Sequence, residues 1–196
     1  MAYTTRDLVK QYLGIPSGTT SEDTPIDNAV LAAQSEIDQI TGRTFEVPSG
    51  ATVKTFVPYD DYTLYIDDIA QKTGLIVKTD TSLDGTYDTT LTITTDFVLE
   101  GNTAPYRVVK RVDGSAYPRD RYGRPTVQVT AFWGYGMAIP DQIKQCALVI
   151  AARLYQRRSS PLGFQAGSVD VGFVRISRTD PEVIALLRGL KLPAAA

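Results

Sequence analysis

The residues that most constrain the architecture are "IPDQIKQCALVIAARLYQRRSSPLG", residues 139–163. Pro140 suits the start of a helix, because the first backbone N–H groups of a helix have no partner within it. Apolar side chains then recur every three or four residues and form one face: Ile143, Cys146, Ala147, Ile150, Ala151 and Leu154. The alanines on this face allow a second helix to approach closely. The stretch therefore predicts a long amphipathic helix that needs a partner helix.

A second apolar stripe lies earlier in the chain. We expect Thr24 to cap a helix whose first position is Pro25 and whose end is Gly42. Its apolar face consists of Ile26, Val30, Ala33, Ile37 and Ile40. Packing the two stripes together predicts a helical core made of Ile26, Val30, Ile37, Ile143, Ala147, Ile150 and Leu154.

A shorter helix is predicted from "TRDLVKQYLG", residues 5–14. Thr5 is its expected N-cap and Gly14 its expected end. Leu8, Val9, Tyr12 and Leu13 are expected to form its apolar face.

Between the two long helices the sequence changes to a texture typical of β-strands. Seven short segments are rich in Val, Ile, Thr and aromatic residues and are separated by Gly, Asp, Asn and Pro: residues 52–57, 63–66, 74–78, 90–93, 97–100, 106–112 and 126–133. Several alternate apolar and polar residues, as an antiparallel sheet with one wet face requires.

After the helix that starts at Pro140, the chain is rich in Ser, Gly and Pro, then carries a strand-like stretch and a last helix from Pro181 to Gly189. The fold class predicted is α+β: a small antiparallel-packed helical bundle, a β-rich insertion between the second and third helices, and an extended C-terminal arm. The expected divisions are N-terminal helices at 1–46, a β insertion at 47–137, the long third helix at 138–162 and the arm at 163–196.

Composition excludes several functions. The chain of 196 residues has no histidine, which removes the usual general base near neutral pH and most zinc sites. We therefore expect no enzyme, no cofactor and no metal.

The single cysteine of the chain, Cys146, lies among apolar residues and is expected to be a buried thiol. No apolar run approaches the ~20 residues that span a bilayer, and the N-terminus lacks a signal-peptide pattern, so an aqueous, cytosolic setting is expected.

Charge is unevenly distributed along the chain. Residues 1–98 carry 6 basic and 15 acidic side chains, a net charge of −9, whereas residues 99–196 carry 14 basic and 7 acidic ones, a net charge of +7. The two halves could attract a neighbouring copy, or they could neutralise each other within one folded chain. The sequence leaves both alternatives open.

Acidic motifs favour structural roles over chemistry. "DTSLDG", residues 80–85, matches the first half of a calcium loop, but the twelfth position is Leu91 where a glutamate is needed, so we expect a hairpin turn and leave weak metal binding by Asp80 and Asp84 as an alternative. Adjacent strand residues point to opposite faces, so neither Asp60–Asp61 nor Asp67–Asp68 forms an acid–base pair. We expect both pairs in solvated turns and edges.

"YPRDRYGRP", residues 117–125, mixes arginines with tyrosines. Such a segment could hold single-stranded nucleic acid by stacking and phosphate contacts, or it could be an exposed loop that meets an acidic partner. The sequence pI near 5.2 gives no dominant basic field, which favours the second interpretation.

The order of these parts closely resembles the head–tail connector proteins, also called adaptor or head-completion proteins, of long-tailed bacteriophages. The resemblance runs from Thr4 to about Gly189. It rests on the helix pair, the β insertion, the aromatic–glycine run "FWGYG" at residues 132–136 before Pro140, and the Ala-rich helix ending in Arg153, Arg157 and Arg158 before Ser, Pro and Gly.

The resemblance implies a structural virion protein at the capsid–tail junction, assembled in the host cytoplasm. It implies a ring, usually of twelve copies, that docks below the portal protein, extends the DNA channel and offers a surface to a stopper or tail protein. The arm would reach the portal, with docking residues Phe164, Val171, Phe173, Val174, Arg175, Ile176 and Arg178. Arg153, Arg157, Arg158 and Gly163 would mark the hinge between helix and arm, although Arg157 and Arg158 could instead simply cap their own helix end.

Three rival functions remain at this stage. A tail-side joining protein, either a stopper or a terminator, would make its ring contact through the β region. A carbohydrate- or ligand-binding β module would expose Trp133 and the tyrosines as platforms. A histidine-free hydrolase would use Asp60, Asp61, Asp67 or Asp68.

Overall fold

The chain folds into two units, one helical and one of β-strands. The computed structural model describes residues 2–158, 164–165, 174–175 and 181–192. The helical unit comprises Met1–Glu46 and Ile139–Ala196, and the β unit comprises Val47–Ala138. Four α-helices and two antiparallel sheets in the described residues make the protein an α+β protein, as the sequence predicts.

Helix α1 spans Arg6–Leu13. Its ends agree with prediction: the Thr5 side chain accepts a hydrogen bond from the Leu8 N–H, and Gly14 adopts the left-handed conformation, with φ of 69°. The predicted apolar face is right for Val9, which is fully buried, and wrong for Leu8 and Tyr12, which are 48% and 56% exposed. Lys10 is buried beside Val9, because hydrogen bonds to two backbone carbonyls satisfy its ammonium group.

Helix α2 spans Asp23–Thr41 and follows a 3₁₀ turn at Thr20–Glu22. The predicted start is wrong by two residues, so Thr24 is not the N-cap and Pro25 is the third helical residue. Proline is tolerated there because the first-turn N–H groups have no acceptor within the helix. Gly42 ends the helix with φ of 67°, as expected.

Helix α3 spans Asp141–Arg157, directly after Pro140. It packs against α2. The C-terminal end of α3 lies beside the N-terminal end of α2, because Tyr155 and Arg158 both bond to Glu22. The two helices are therefore antiparallel.

Helix α4 spans Pro181–Arg188 and packs against α2 and α3. Val183 and Leu187, one helical turn apart, are buried, and the Leu192 N–H donates to the Thr41 carbonyl at 2.8 Å. Residues 181–192 are thus part of the helical unit, which differs from the extended arm expected over 163–196. The physical reason is that Val183 and Leu187, four residues apart, lie on the same side of α4 and are buried in the helical unit.

The β unit contains the seven predicted strands. They are β1 at Thr52–Phe56, β2 at Thr63–Ile69, β3 at Ile76–Thr79, β4 at Thr89–Leu91, β5 at Phe97–Leu99, β6 at Tyr106–Arg111 and β7 at Val127–Ala131. One sheet has the strand order β1-β7-β3-β4 and the other β2-β6-β5, with every strand pair antiparallel.

Both sheets contribute to one apolar core in the β unit. Alternate residues of β7 point into it, Val127, Val129 and Ala131, each fully buried. The chain beyond β7 also joins the second sheet, because the Ala70 N–H donates to the Phe132 carbonyl at 2.8 Å and Ile69 pairs with Trp133. Period-two alternation thus places one face of each strand inside, as the sequence pattern predicts.

Two further short strands, β8 at Phe164–Gln165 and β9 at Val174–Arg175, pair antiparallel, with Phe164 opposite Arg175.

Candidate functional site

The basic end of α3 makes a contact within its own chain. An Arg158 guanidinium nitrogen lies 2.6 Å from a Glu22 carboxylate oxygen, and the Tyr155 hydroxyl donates to the same oxygen at 2.8 Å. The Arg158 guanidinium also lies 4.8 Å from the centre of the Tyr155 ring. Hydrogen bonds from Tyr155, which has the larger effect, and from Arg158 lower the pKa of Glu22 below its ordinary value. Arg158 therefore fastens the end of α3 to the start of α2 rather than simply capping its own helix.

The other residues of the predicted hinge are Arg153, Arg157 and Gly163. Arg153 and Arg157 are half-buried on α3. Gly163 lies outside the described residues. The structure thus brings Arg158 to α2 and leaves the hinge itself a prediction.

The predicted docking arm is described only in part. Phe164, Val174 and Arg175 lie in the paired strands β8 and β9. The remaining predicted docking residues, Val171, Phe173, Ile176 and Arg178, lie outside the described residues. Docking on a portal protein therefore remains a prediction.

The predicted helical core residues lie on α2 and α3, two helices that pack against each other. All are buried except Leu154, which is half-buried: Ile26, Val30, Ile37, Ile143, Ala147 and Ile150 have exposures of 0 to 7%. Burying an aliphatic side chain of this size stabilises the fold by about 1.5–3 kcal/mol. Cys146 lies in the same row, and burial raises the pKa of its thiol.

The two aspartate pairs do not form catalytic dyads. Asp60 closes a turn by accepting the N–H groups of Tyr62 and Thr63 at 2.8 and 2.6 Å, which lowers the pKa of Asp60. Asp67 is exposed and bonds to Lys54 at 2.7 Å. Asp68 faces the opposite side of β2 and is 8% exposed, 3.4 Å from the Nε of Arg107.

The expectation that both pairs lie in solvated turns and edges is therefore wrong for Asp68. The pairing of β2 with β6 shifts register between Tyr65 and Ile69, and at this irregularity Asp68 and Ile69 are both buried.

The Asp80 loop is a connection between β3 and β4, which pair antiparallel as the hairpin prediction requires. The Asp80 carboxylate accepts the N–H groups of Asp84 and Gly85 at 3.2 and 2.7 Å. Arg124 closes the other side of the loop by donating to the Leu83 carbonyl at 3.3 Å. Among the residues that the structure describes, no three acidic, cysteine or histidine side chains gather as a metal site would require.

The basic–aromatic segment at 117–125 does not form a stacking platform. Tyr117 is 2% exposed, Arg119 lies 3.5 Å from Asp61, and Arg124 lies 2.8 Å from Asp120. Tyr122 projects, at 79% exposure, with the Arg121 guanidinium 5.6 Å from its ring centre. One exposed tyrosine with one arginine fits an exposed loop better than a strand-binding groove.

Trp133 is part of the β unit's packing. Its indole N–H donates to the Thr52 carbonyl at 2.8 Å, its ring packs 5.6 Å from the Phe56 ring, and Lys54 lies 4.8 Å above it. Because Trp133 already contacts Thr52, Phe56 and Lys54, its ring is not a free platform on which a sugar could stack.

Ion pairs join the acidic and basic halves of the sequence inside one chain. Arg107 pairs with Asp68 and Arg119 with Asp61 in the β unit, and Arg158 pairs with Glu22 in the helical unit. The helical unit has 11 basic and 11 acidic residues, and the β unit has 9 basic and 11 acidic ones. Internal neutralisation therefore accounts for much of the split, which was one of the two alternatives.

Sequence reasoning missed the polar network under α1. Lys10 is 3% exposed, donates to the carbonyls of Ser17 and Thr19 at 3.2 and 2.9 Å, and pairs with Asp23. Arg6 bonds to Asp23 and Asp27. One signal was present: Lys10 follows Arg6 by one helical turn, opposite a cluster of acids at the start of α2.

A helical unit and a unit of two antiparallel sheets define the protein as an α+β protein. Within the described residues, every helix is too short or too polar to cross a lipid bilayer. A scan against protein-family models and a search of curated proteins return no match.

Solved structures do share this fold. A chain from the neck of an empty gene transfer agent particle, computed with C6 symmetry, superposes with a TM-score of 0.60 at 19% identity, over 96% of this chain and 89% of that chain. A chain from the virion of a native gene transfer agent particle gives a TM-score of 0.57 at 19% identity, over 97% of this chain and 89% of that one. The resemblance to head–tail connector proteins is thereby confirmed at the level of the fold.

Proposed function

We propose that this chain is a structural virion protein, a head-to-tail adaptor that forms a ring below the portal, extends the DNA channel and provides the docking surface for a stopper or tail protein. The observation that carries the proposal is the fold shared with a chain of a particle neck over 96% of this chain. A match that includes both the helical and the β unit is more specific than a match to either alone.

A ring of identical copies is the assembly that fits this function. The neck that contains the similar chain was computed with C6 symmetry. A ring of twelve copies, which the connector resemblance implies, contains a six-fold axis. Ring contacts are heterologous, since each copy places one surface on a different surface of the next.

A DNA channel requires subunits that do not hold the DNA. Each neutralised phosphate adds salt-dependent affinity, which would slow the passage of the genome. The helical unit carries no net charge and the β unit carries −2. Genomic DNA would therefore pass through the lumen without specific binding, and the protein would need no cofactor, membrane or catalytic residue.

The arm is the proposed contact with the portal protein. Arg175 and Arg178, with the apolar residues around them, would dock on the portal, and the segment after Arg158 would be the hinge. Because Val183 and Leu187 are buried in the helical unit, removing residues 163–196 would damage the fold and would test nothing specific. The sharper variant is Arg175→Glu with Arg178→Glu in the full chain.

The test is cryo-electron microscopy of particles that carry a tagged copy of this protein, together with capture of the particle's portal protein. We expect a ring at the junction of head and tail, and we expect the double arginine variant to lose the portal while Arg121→Glu with Arg124→Glu keeps it. If the chain were instead a tail-side joining protein, the Arg175→Glu, Arg178→Glu variant would still bind its partner protein. A tag found anywhere other than the neck would overturn the proposal.

A further inference from the structure

An exposed leucine stands between acidic residues on the outer side of α2. Leu31 is 63% exposed. Asp27 precedes it by four residues and Asp38 follows it by seven, so all three lie on one side of the helix. Leu31, Gln34, Ser35, Asp38 and Gln39 line a shallow depression of about 420 Å³. We call these five residues the Leu31 surface.

A matching basic surface lies on α4. Ile184 is 46% exposed, and Arg188, one turn further along, is exposed, as is Lys191 after the helix. Val183 and Leu187 point the other way, into the helical unit. Ile184, Arg188 and Lys191 form the α4 surface.

These surfaces belong to helix pairs of opposite charge. Residues 1–46, which include α1 and α2, carry 3 basic and 7 acidic side chains, whereas the described residues 139–158 and 181–192 carry 6 basic and 2 acidic ones. Several ion pairs lie within a helix pair, such as Arg6–Asp23 and Lys144–Asp141, and leave this difference unchanged. The Glu22–Arg158 pair removes one charge from each side.

Neither surface is covered within one copy, because Leu31 and Ile184 are 63% and 46% exposed. On the Leu31 side, α2 meets the N-terminal segment, since Tyr3 bonds to Asp38 and Arg6 to Asp27. The α4 segment meets α2 at its C-terminal end, where Leu192 bonds to Thr41. One copy therefore cannot place its own α4 surface on its own Leu31 surface.

We infer that the Leu31 surface of one copy is covered by the α4 surface of the next copy. The contact would place Ile184 on Leu31, and Arg188 and Lys191 beside the carboxylates that flank the leucine. Two distinct, complementary surfaces are what a head-to-tail ring needs. Burial and the nearby Glu46 charge raise the pKa of Asp38, and a cation from the neighbour would stabilise its charged form. The inference deepens the proposed ring and rests on it.

A matched pair of leucine variants tests the first surface. Leu31→Arg sets a cation against Arg188 and Lys191, so self-association of the full chain, measured by sedimentation, is expected to weaken at least about tenfold. Leu8→Arg makes the same change on α1, at an exposed leucine outside the Leu31 surface. We expect it to leave association unchanged, and equal effects of the two variants would overturn the inference.

A cysteine pair tests the second surface. Leu31→Cys with Ile184→Cys is expected to give a ladder of disulfide-linked multimers under mild oxidation, whereas Leu8→Cys with Ile184→Cys and the parent chain, whose Cys146 is buried, give none. The absence of a ladder, or an equal ladder in the control, would overturn the inference. Either result can occur in a protein that microscopy places in the neck, so this failure is distinguishable from failure of the proposed function.

Discussion

Arg158 and Glu22, 136 residues apart in the sequence, bond at 2.6 Å and join the end of α3 to the start of α2. Helix α2 leads into the β unit and α3 leads out of it. Helices α2 and α3 therefore pack against each other although the seven strands of the β unit separate them in the sequence. At one end of the two helices, the Arg158–Glu22 ion pair and the Tyr155 hydroxyl fix the position of α3 relative to α2.

Glu22→Gln is expected to lower the free energy of unfolding at neutral pH. The folded-state pKa of Glu22 is below its ordinary value, so its stabilising effect is present above the unfolded pKa of about 4.3 and is lost as the pH falls through the folded pKa. Urea denaturation over a pH series should therefore show the variant and the parent converging in acid. Glu36→Gln, which removes one carboxylate elsewhere on α2, is the control for the loss of an acidic charge from this helix. A constant difference at all pH values would contradict the role of the charge.

Lys10→Met is expected to destabilise the protein by about 3 kcal/mol, because a nearly buried ammonium is removed and Asp23 and two carbonyls lose their donor. Arg6 still contacts Asp23, which places the value at the low end for a broken buried pair. Lys144→Met is the matched control, since Lys144 pairs with the exposed Asp141, and should change stability by less than about 1 kcal/mol. Chemical denaturation of both variants measures the difference, and equal losses would show that Lys10 has no special role.

Helix and strand positions could be predicted because their patterns are local. Seven strands follow from period-two alternation between turn residues, and α3 follows from a stripe between Pro140 and the terminal arginines. The start of α2 was misplaced because Thr24–Pro25 is a strong local signal, whereas the preceding 3₁₀ turn moves the true start to Asp23.

The candidate surfaces were harder to predict, because exposure depends on which elements meet. Leu8 and Tyr12 are apolar at helical spacing, yet α1 turns the side with Val9 and Lys10 inward. For Leu31 the helical period is sufficient, because the predicted stripe of α2 leaves out this exposed leucine and includes the buried Val30. Asp68 is the converse case: it follows Leu64 and Ile66 at period-two spacing and is buried with them, although a carboxylate is usually exposed.

Ile37→Ala and Ile143→Ala are each expected to destabilise the helical unit by about 2–5 kcal/mol, because both side chains are fully buried in that unit. Leu31→Ala is the control on the same helix, and its exposed side chain predicts a change within about 0.5 kcal/mol. Helical circular dichroism followed through a urea titration gives all three values. A large loss for Leu31→Ala under conditions where the protein is monomeric would contradict the assignment of that residue to the surface.

Replacing a buried tyrosine by phenylalanine is expected to lower the free energy of unfolding at Tyr3 and to raise it at Tyr117. The Tyr3 hydroxyl donates to Asp38 at 2.5 Å and accepts the buried Phe45 N–H at 2.7 Å, so Tyr3→Phe leaves both groups without this partner and should cost about 1–3 kcal/mol. The Tyr117 hydroxyl is buried and has no hydrogen-bond partner among the described residues, and burial raises its pKa.

Tyr117→Phe removes that hydroxyl and keeps the ring in the β core, so it should raise the free energy of unfolding by about 1 kcal/mol. Thermal denaturation of the two variants beside the parent compares them directly. A loss of stability in Tyr117→Phe as large as that in Tyr3→Phe would mean that the Tyr117 hydroxyl is bonded in the folded protein, and the packing of the β core around it would have to be revised.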